Sequence, residues 1–211
     1  NMVDRMYIGH IPGVGAAALT GVGVTMPVIM AITAFAYFIS MGGAPRSSIM
    51  MGRNEKEKAE KILGNCTTML VVLALILTAV FLFCGRSILL LFGASENTIG
   101  YARDYMQIIL YGNVITHMYL GLNAVLRSSG FPKQAMYATL ASVVINCILN
   151  PIFIFGFEWG IKGSAWATVI SQVISLTGQM IHFSSPKQLL HFKKGIYKLR
   201  KEVVKGILYI G

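Results

Sequence analysis

Residues 62–84 read ILGNCTTMLVVLALILTAVFLFC, and no charged side chain occurs in these 23 positions. As an α-helix rising about 1.5 Å per residue, the segment is long enough to cross a hydrocarbon core of about 30 Å. It therefore predicts a transmembrane helix, and the rest of the chain has to be compatible with a bilayer.

The composition of the whole chain agrees with this segment. The 211 residues are 55% hydrophobic and 12% charged, with a mean hydropathy of +0.65, well above an ordinary soluble domain. We expect an all-α, polytopic membrane helix bundle. Its predicted spans are a remnant at 1–9, then 15–43, 62–84, 99–126, 133–157 and 161–183, with a further span starting near 205. The short first and last spans indicate an internal fragment that begins late in one transmembrane helix and stops just inside another.

The basic residues lie mainly in alternate connections between these spans. Connections 44–61, 127–133 and 184–205 hold 14 of the 18 lysines and arginines. Cytoplasmic loops are rich in Lys and Arg, so these connections are predicted to face the cytoplasm. The net charge of +10 is thereby explained by membrane topology, and no basic surface interleaved with aromatic residues indicates nucleic-acid binding.

The basic tail at 187–206, KQLLHFKKGIYKLRKEVVKG, alternates cationic with spaced apolar residues. The pattern predicts an amphipathic helix on the inner membrane surface, and a calmodulin-type target remains the alternative. We therefore divide the chain into a transmembrane lobe, 1–185, and a segment at 186–211 that combines this inner-surface loop with the start of the next span.

No motif for catalysis is present. Cys66, Cys84 and Cys147 lie in or beside apolar runs without CxxC pairing or a nearby histidine at metal-binding spacing. HExxH, GxSxG and P-loop patterns are absent from the sequence. We expect a protein that is not an enzyme and carries no cofactor.

Polar side chains within the spans converge on one depth. By helix rise, Asp4 lies roughly 8 Å below the predicted outer surface, and Asn150 and Thr168 lie roughly 10 Å below it. Asn146 follows one turn deeper on the face of Asn150. We predict that these four side chains form one site in the outer half of the bundle.

The chemistry of this site indicates ion coupling. It offers one carboxylate, two amide oxygens and one hydroxyl, which are hard donors suited to a proton or a sodium ion. Taken singly, each residue also has a structural interpretation. Asp4 beside Arg5 can form an interfacial salt bridge, the two amides can join helices, and the Thr168 hydroxyl can bond to its own helix.

Two further residues are candidates for a substrate cavity, Tyr105 and Asn123. An aromatic belt is the alternative for Tyr105, and a helix cap is the alternative for Asn123. His117, one turn after Asn113, is a candidate proton relay or a member of an internal hydrogen bond.

Five segments resemble the multidrug and toxic compound extrusion (MATE) family, in its MepA-like bacterial branch. They are NMVDRMYIG at 1–9, GGAPRSSIMMGR at 42–53, GLNAVLRSSGFPKQAMY at 121–137, INCILNPIFIFGF at 145–157 and GIKGSAWATVISQ at 160–172. Their order along nearly the whole chain makes the combination specific.

The resemblance implies a twelve-helix transporter of two six-helix lobes in the bacterial cytoplasmic membrane, with this chain as most of the N-terminal lobe and a missing C-terminal lobe as its partner. It also implies efflux of small cationic, amphiphilic drugs against protons or sodium ions by alternating access. A lipid-linked precursor flippase of the same superfamily is the alternative, and a non-transporting receptor or scaffold is another.

The same resemblance implies a role in ion coupling for four residues, which are also possible ligands of a sodium ion. They are Asp4, Asn146, Asn150 and Thr168. The sequence departs from the family pattern at Asn150, where many members carry an aspartate before the proline. A neutral amide cannot take up a proton or add charge, so the site holds one carboxylate.

Overall fold

The structure is a computed structural model that describes residues 2–188 and 190–211. The described residues form helices and no strand. The helices are α1 (Met2–Gly9), α2 (Gly15–Gly52), α3 (Lys56–Leu91), α4 (Ile99–Tyr111), α5 (Asn113–Ser128), α6 (Pro132–Pro151) with a π-helical turn at Ile152–Gly156, α7 (Gly160–Ser184) and α8 (Lys201–Ile210).

The predicted membrane helix bundle is confirmed. Within the described residues, α2, α3 and the segment Pro132–Gly156 are each long and apolar enough to cross a membrane, and α4 with α5 adds a fourth span if the bent pair is counted as one. The surface of α3 shows the lipid-facing character directly, because Leu75, Ile76 and Phe83 are all exposed, Phe83 at 90%. Such side chains are stable in hydrocarbon.

The two longest helices continue past their apolar runs. Helix α2 extends to Gly52, beyond the predicted end at 43, and α3 covers 56–91 rather than 62–84. Hydropathy detects only the part of a helix inside the hydrocarbon, and backbone hydrogen bonding continues into the charged region. The basic connection shortens to a tight turn, where Asn54 adopts a φ of 61°.

The single span predicted at 99–126 is two helices. Helices α4 and α5 meet at Gly112 with a bend of 57°. A Cβ at Gly112 would lie 2.6 Å from Cγ2 of Val169 on α7, so α7 approaches the backbone where the chain turns. Packing against a neighbouring helix accounts for the bend, which the apolar pattern of one span does not reveal.

Pro151 marks the other irregularity. It has no N–H to donate to the carbonyl one turn back, and the chain changes from α-helix to a π-helical turn directly after it. Phe157 N–H donates to Ile152 O at 2.9 Å, which is the wider bonding pattern of such a turn. The helix is thus disturbed at this proline by a widened turn.

Small residues bring α7 against this turn. A Cβ at Gly163 would lie 2.7 Å from the backbone C and O atoms of Phe153, and Ala167 one turn later is fully buried. This close approach holds α6 and α7 together at the depth of Asn150 and Thr168.

The helix predicted for the basic tail is wrong before Lys201. The described residues of 185–200 form turns and extended chain, and only Lys201–Ile210 are helical. Backbone N–H and C=O groups that would pair with each other inside a helix instead form hydrogen bonds with a polar side chain of α3. Asn65 Nδ2 donates to the carbonyls of Ile196 and Lys198, both at 3.3 Å, and Arg200 N–H donates to Asn65 Oδ1 at 2.9 Å.

The same segment is also held by a buried carboxylate of α3, about one helical turn before Asn65. Glu60 is almost fully buried and contacts Lys193 Nζ at 2.7 Å and His191 Nδ1 at 3.3 Å. Leu190 and Ile196 are also buried. Residues 185–188 and 190–200 therefore form a strap across α3, with Leu190 and Ile196 packed onto the bundle.

The packing at Gly163 gives a stability prediction. Gly163→Ala forces a methyl group into the Phe153 backbone, so we expect the free energy of unfolding to fall by about 1–3 kcal/mol. Gly178→Ala on the same helix is the matched control, because a Cβ there meets nothing within 4 Å. The control should raise stability by up to about 1 kcal/mol through helix propensity. Thermal unfolding in detergent measures both, and equal shifts for the two variants would contradict the close contact.

Candidate functional site

Asp4 is the acidic centre of the site and is only 2% exposed. It lies on the short helix α1, which packs against α2, α6 and α7. Asn150 on α6 donates from Nδ2 to Asp4 Oδ1 at 2.6 Å. A hydrogen bond to an ionised acceptor is shorter and stronger than a neutral one. This bond joins α1 to α6 at the end of the regular helix.

The structure brings the four predicted polar side chains together in a continuous hydrogen-bond chain. Asn150 Nδ2 also donates to Asn146 Oδ1 at 3.0 Å, and Asn146 Nδ2 donates to Thr168 Oγ1 at 3.2 Å. Thr168 Oγ1 donates in turn to Ser164 O at 3.1 Å. The chain runs from α1 through α6 to α7: Asn150 donates to both of its neighbours, and beyond it Asn146 and Thr168 each donate to the next group.

The site contains a buried acceptor that a cation can use. Asn150 is fully buried, and its Oδ1 has no hydrogen-bond partner among the described residues. A buried carbonyl oxygen without a donor is costly unless a water or an ion satisfies it. The oxygens of Asp4, Asn146 and Thr168 complete a set of hard donors that fits sodium, and the same carboxylate can instead hold a proton.

A cavity of about 340 Å³ adjoins this hydrogen-bond chain. Asp4, Asn146 and Thr168 all contribute to its wall, whereas Asn150 lies behind them. Among the residues that the structure describes, Asp4 is the only Asp, Glu, Lys or Arg that lines it. The remaining lining residues are Met26, Ile29, Thr33, Tyr37, Tyr105, Ile109, Thr116, Tyr119, Leu120, Ser142, Val143, Ser171 and Gln172.

Of the two residues predicted for a substrate cavity, one lies in the wall of this cavity. Tyr105 is buried and lines the cavity together with Thr168. Asn123 is not part of this wall, which corrects its expected position. Its Nδ2 donates to Ala135 O at 2.9 Å and Thr139 Oγ1 at 3.3 Å, so it joins α5 to α6.

Several polar residues of the cavity wall were missed. Thr116 donates to Gln172 Oε1 at 2.7 Å, and Ser142 and Ser171 lie nearby in the lining. A usable signal was present in the spacing: Ser142 is one turn before Asn146, and Ser171 and Gln172 are three and four residues after Thr168. Extending each polar face by one helical turn would have found three of these four residues.

The weaker candidates have structural partners. His117 Nδ1 lies 3.1 Å from Asn113 O, which is the internal hydrogen bond that the sequence left open beside a relay. Asp104 forms an exposed salt bridge with Lys162 at 3.2 Å. Neither residue lines the cavity.

A bundle of apolar helices that encloses a buried carboxylate beside a polar cavity is the architecture of a membrane carrier. The MatE family model matches residues 1–152, and the chain therefore belongs to the MatE family. It is a multi-pass protein of the bacterial cytoplasmic membrane.

The individual relatives agree. The probable multidrug resistance protein YoeA of Bacillus subtilis is 30% identical, covering 100% of this chain and 46% of its own length. The multidrug export protein MepA of Staphylococcus haemolyticus is 28% identical with the same coverage. A solved inward-facing structure of a multidrug resistance MATE family transporter of the MOP superfamily matches with a TM-score of 0.93 at 26% identity, covering 100% of this chain and 48% of that chain. The chain thus spans about half the length of these relatives, whose names refer to multidrug resistance, export or transport.

The bond between Asp4 and Asn150 can be measured by a double-mutant cycle. We expect Asp4→Ala and Asn150→Ala together to destabilise the protein less than the sum of the single variants, by about 1–3 kcal/mol, because each single variant already breaks the shared bond. Thermal unfolding in detergent gives the values. A parallel cycle of Asp4 with the exposed Asn97 is the control and should show additivity. Additive effects for Asp4 and Asn150 would contradict the bond.

Proposed function

We propose that this chain is the N-terminal lobe of a secondary active multidrug exporter, which carries cationic drugs outward in exchange for protons or sodium ions by alternating access. The observation that carries the proposal is the hydrogen-bond chain from Asp4 to Thr168, which forms part of the wall of the cavity. It places the only carboxylate of the cavity at the junction of three helices, where its charge can affect both ligand binding and helix packing.

The cavity suits amphiphilic cations. Its volume of about 340 Å³ lies at the lower end of the range for small-molecule sites, as expected for the share of one lobe. Asp4 supplies negative charge, and Tyr37, Tyr105 and Tyr119 supply aromatic surface that attracts cations. The methionine and isoleucine side chains of the wall provide adaptable apolar contact for ligands of different shape.

Coupling follows from competition for one charge. A proton or sodium ion at Asp4 neutralises the carboxylate and removes its attraction for a cationic drug, so ion entry favours drug release. A proton on Asp4 also weakens the charge-assisted bond from Asn150, which links α1 to α6. The link between α1 and α6 is therefore strong when Asp4 is ionised and weaker when Asp4 is protonated.

Asn150 sets the stoichiometry in this scheme. With an amide in place of a second carboxylate, the site carries a single negative charge when ionised, and one monovalent cation neutralises it. Asn150 still contributes its free Oδ1 as a ligand and its Nδ2 as a donor. The fit of oxygen donors supports sodium, the carboxylate supports a proton, and the two ions are distinguished by the experiment below.

The lipid-linked precursor flippase is not favoured. A cavity for an anionic lipid-linked precursor is expected to be basic, whereas no Lys or Arg lines the cavity described here. A non-transporting receptor has no requirement for a buried carboxylate joined to two amides and a hydroxyl at matched depth.

The two aspartates of the chain provide a matched test. In vesicles containing the intact transporter, we expect Asp4→Asn to abolish dye efflux driven by an imposed proton or sodium gradient, since the site then has no exchangeable charge. Asp104→Asn, which removes an exposed salt bridge outside the cavity, should retain wild-type transport. Gradients are imposed separately, and the one that drives the wild-type protein identifies the ion. Unchanged ion-driven efflux by Asp4→Asn would overturn the proposal.

Asn150→Asp tests the role of the missing second charge. Two carboxylates in hydrogen-bond contact cannot both be ionised without a proton or cation between them. We expect the initial rate of efflux to depend more steeply on coupling-ion concentration than in the wild-type protein, because one more cation has to bind in each cycle. The rate measured over a range of pH and sodium concentration checks this. An unaltered dependence would show that position 150 does not set the ion stoichiometry.

A further inference from the structure

A second cavity lies at the opposite end of the molecule from the acidic site, at the predicted inner surface. Its volume is about 330 Å³, and it is formed by the end of α2, the start of α3 and the start of α8. Five cationic side chains and two carboxylates contribute to it, a formal excess of three positive charges. The cationic residues are Arg46, Arg53, Lys58, Lys61 and Arg200, and the carboxylates are Glu55 and Glu202.

Internal pairing leaves most of this positive charge available. Lys58 forms a salt bridge with Glu55. Among the described residues, no salt bridge is formed by Arg46, Arg53 or Arg200. Arginine presents several donors in a fixed plane that matches the oxygens of a phosphate, which makes such residues suitable for phosphate recognition.

The fold holds this basic cavity in shape. Asn65 fixes the backbone of Arg200 through its Oδ1 at 2.9 Å, immediately before α8 begins. The guanidinium of Arg46 lies against Gly206 of α8 and occupies the space that a side chain there would need. Arg46 is thus positioned by contact with α8, and the backbone of Arg200 by its hydrogen bond to α3.

The lining also contains apolar residues, and these favour a lipid. Met50, Ile62 and Val203 contribute side chains to the cavity beside the arginines. No Phe, Tyr or Trp lines it, so it offers no surface on which a nucleotide base could stack. Anionic lipids are the abundant phosphate-bearing molecules at the cytoplasmic surface of a membrane, and basic pockets between transmembrane helices on that side bind their headgroups.

We propose that this cavity binds the phosphate group of an anionic phospholipid of the inner leaflet, with its acyl chains against the apolar flank of α2 and α3. The bound lipid bridges α2, α3 and α8, and so stabilises the strap that follows the lobe. This site is separate from the transport cavity, since the two share no lining residue.

The test measures binding of fluorescent phosphatidylglycerol to the intact protein in neutral detergent by anisotropy, with phosphatidylcholine as the zwitterionic comparison. Arg53→Gln combined with Arg200→Gln removes two exposed charges of the cavity, and the expected result is a loss of phosphatidylglycerol affinity of about tenfold or more. Arg86→Gln combined with Arg103→Gln removes the same charge from exposed positions outside the cavity and should leave affinity unchanged.

Three outcomes overturn the proposal. Equal binding of the two lipids shows that negative charge is not recognised. Equal losses in the two double variants show attraction by net charge rather than by this cavity. Full displacement of the lipid by millimolar inorganic phosphate assigns the site to a free anion. Thermal unfolding of each variant confirms that the protein is folded, so a loss of binding reports on the cavity itself.

Discussion

A carboxylate inside a membrane-spanning bundle has to be satisfied by the protein, because the hydrocarbon offers it neither water nor counter-ions. In this chain that requirement falls on Asp4, which receives a 2.6 Å hydrogen bond from Asn150. The acceptor belongs to a short helix at one end of the chain and the donor to α6, 146 residues later. Satisfying this one charge brings together elements that are distant in sequence, and the cavity forms beside them.

The geometry of the bond depends on departures from regular helix. Asn150 is followed by Pro151 and a π-helical turn, and the backbone of that turn is in contact with Gly163 of α7. The missing side chain at Gly163 lets α7 approach closely enough for Thr168 to reach Asn146. Pro151 and Gly163 are weak helix formers, and both occur where the polar site requires irregular or close packing. They lower local helix stability but allow the hydrogen-bond donors to reach their acceptors.

The two ends of the lobe use charge differently. The outer half buries one negative charge beside a cavity with no Lys or Arg in its wall, whereas the predicted inner surface collects arginines around a second cavity. The strap connects this basic region to α3 through Glu60 and Asn65. The proposed cation site and the proposed lipid site thus share no lining residue, which limits electrostatic interference between them.

The sequence by itself determined the class of protein, the approximate positions of most helices and the polar side chains that meet beside Asp4. Apolar length and the scarcity of polar groups within it are local properties, so Asp4, Asn146, Asn150 and Thr168 stood out and their common depth followed from helix rise. Tertiary structure alone decided which neighbours these residues met. It bent the span at Gly112 against Val169, turned Asn123 away from the cavity and replaced the predicted tail helix by a strap. The physical reason is that a hydrogen bond or a close contact between segments far apart in the chain outweighs local periodicity, and periodicity contains no information about the partner.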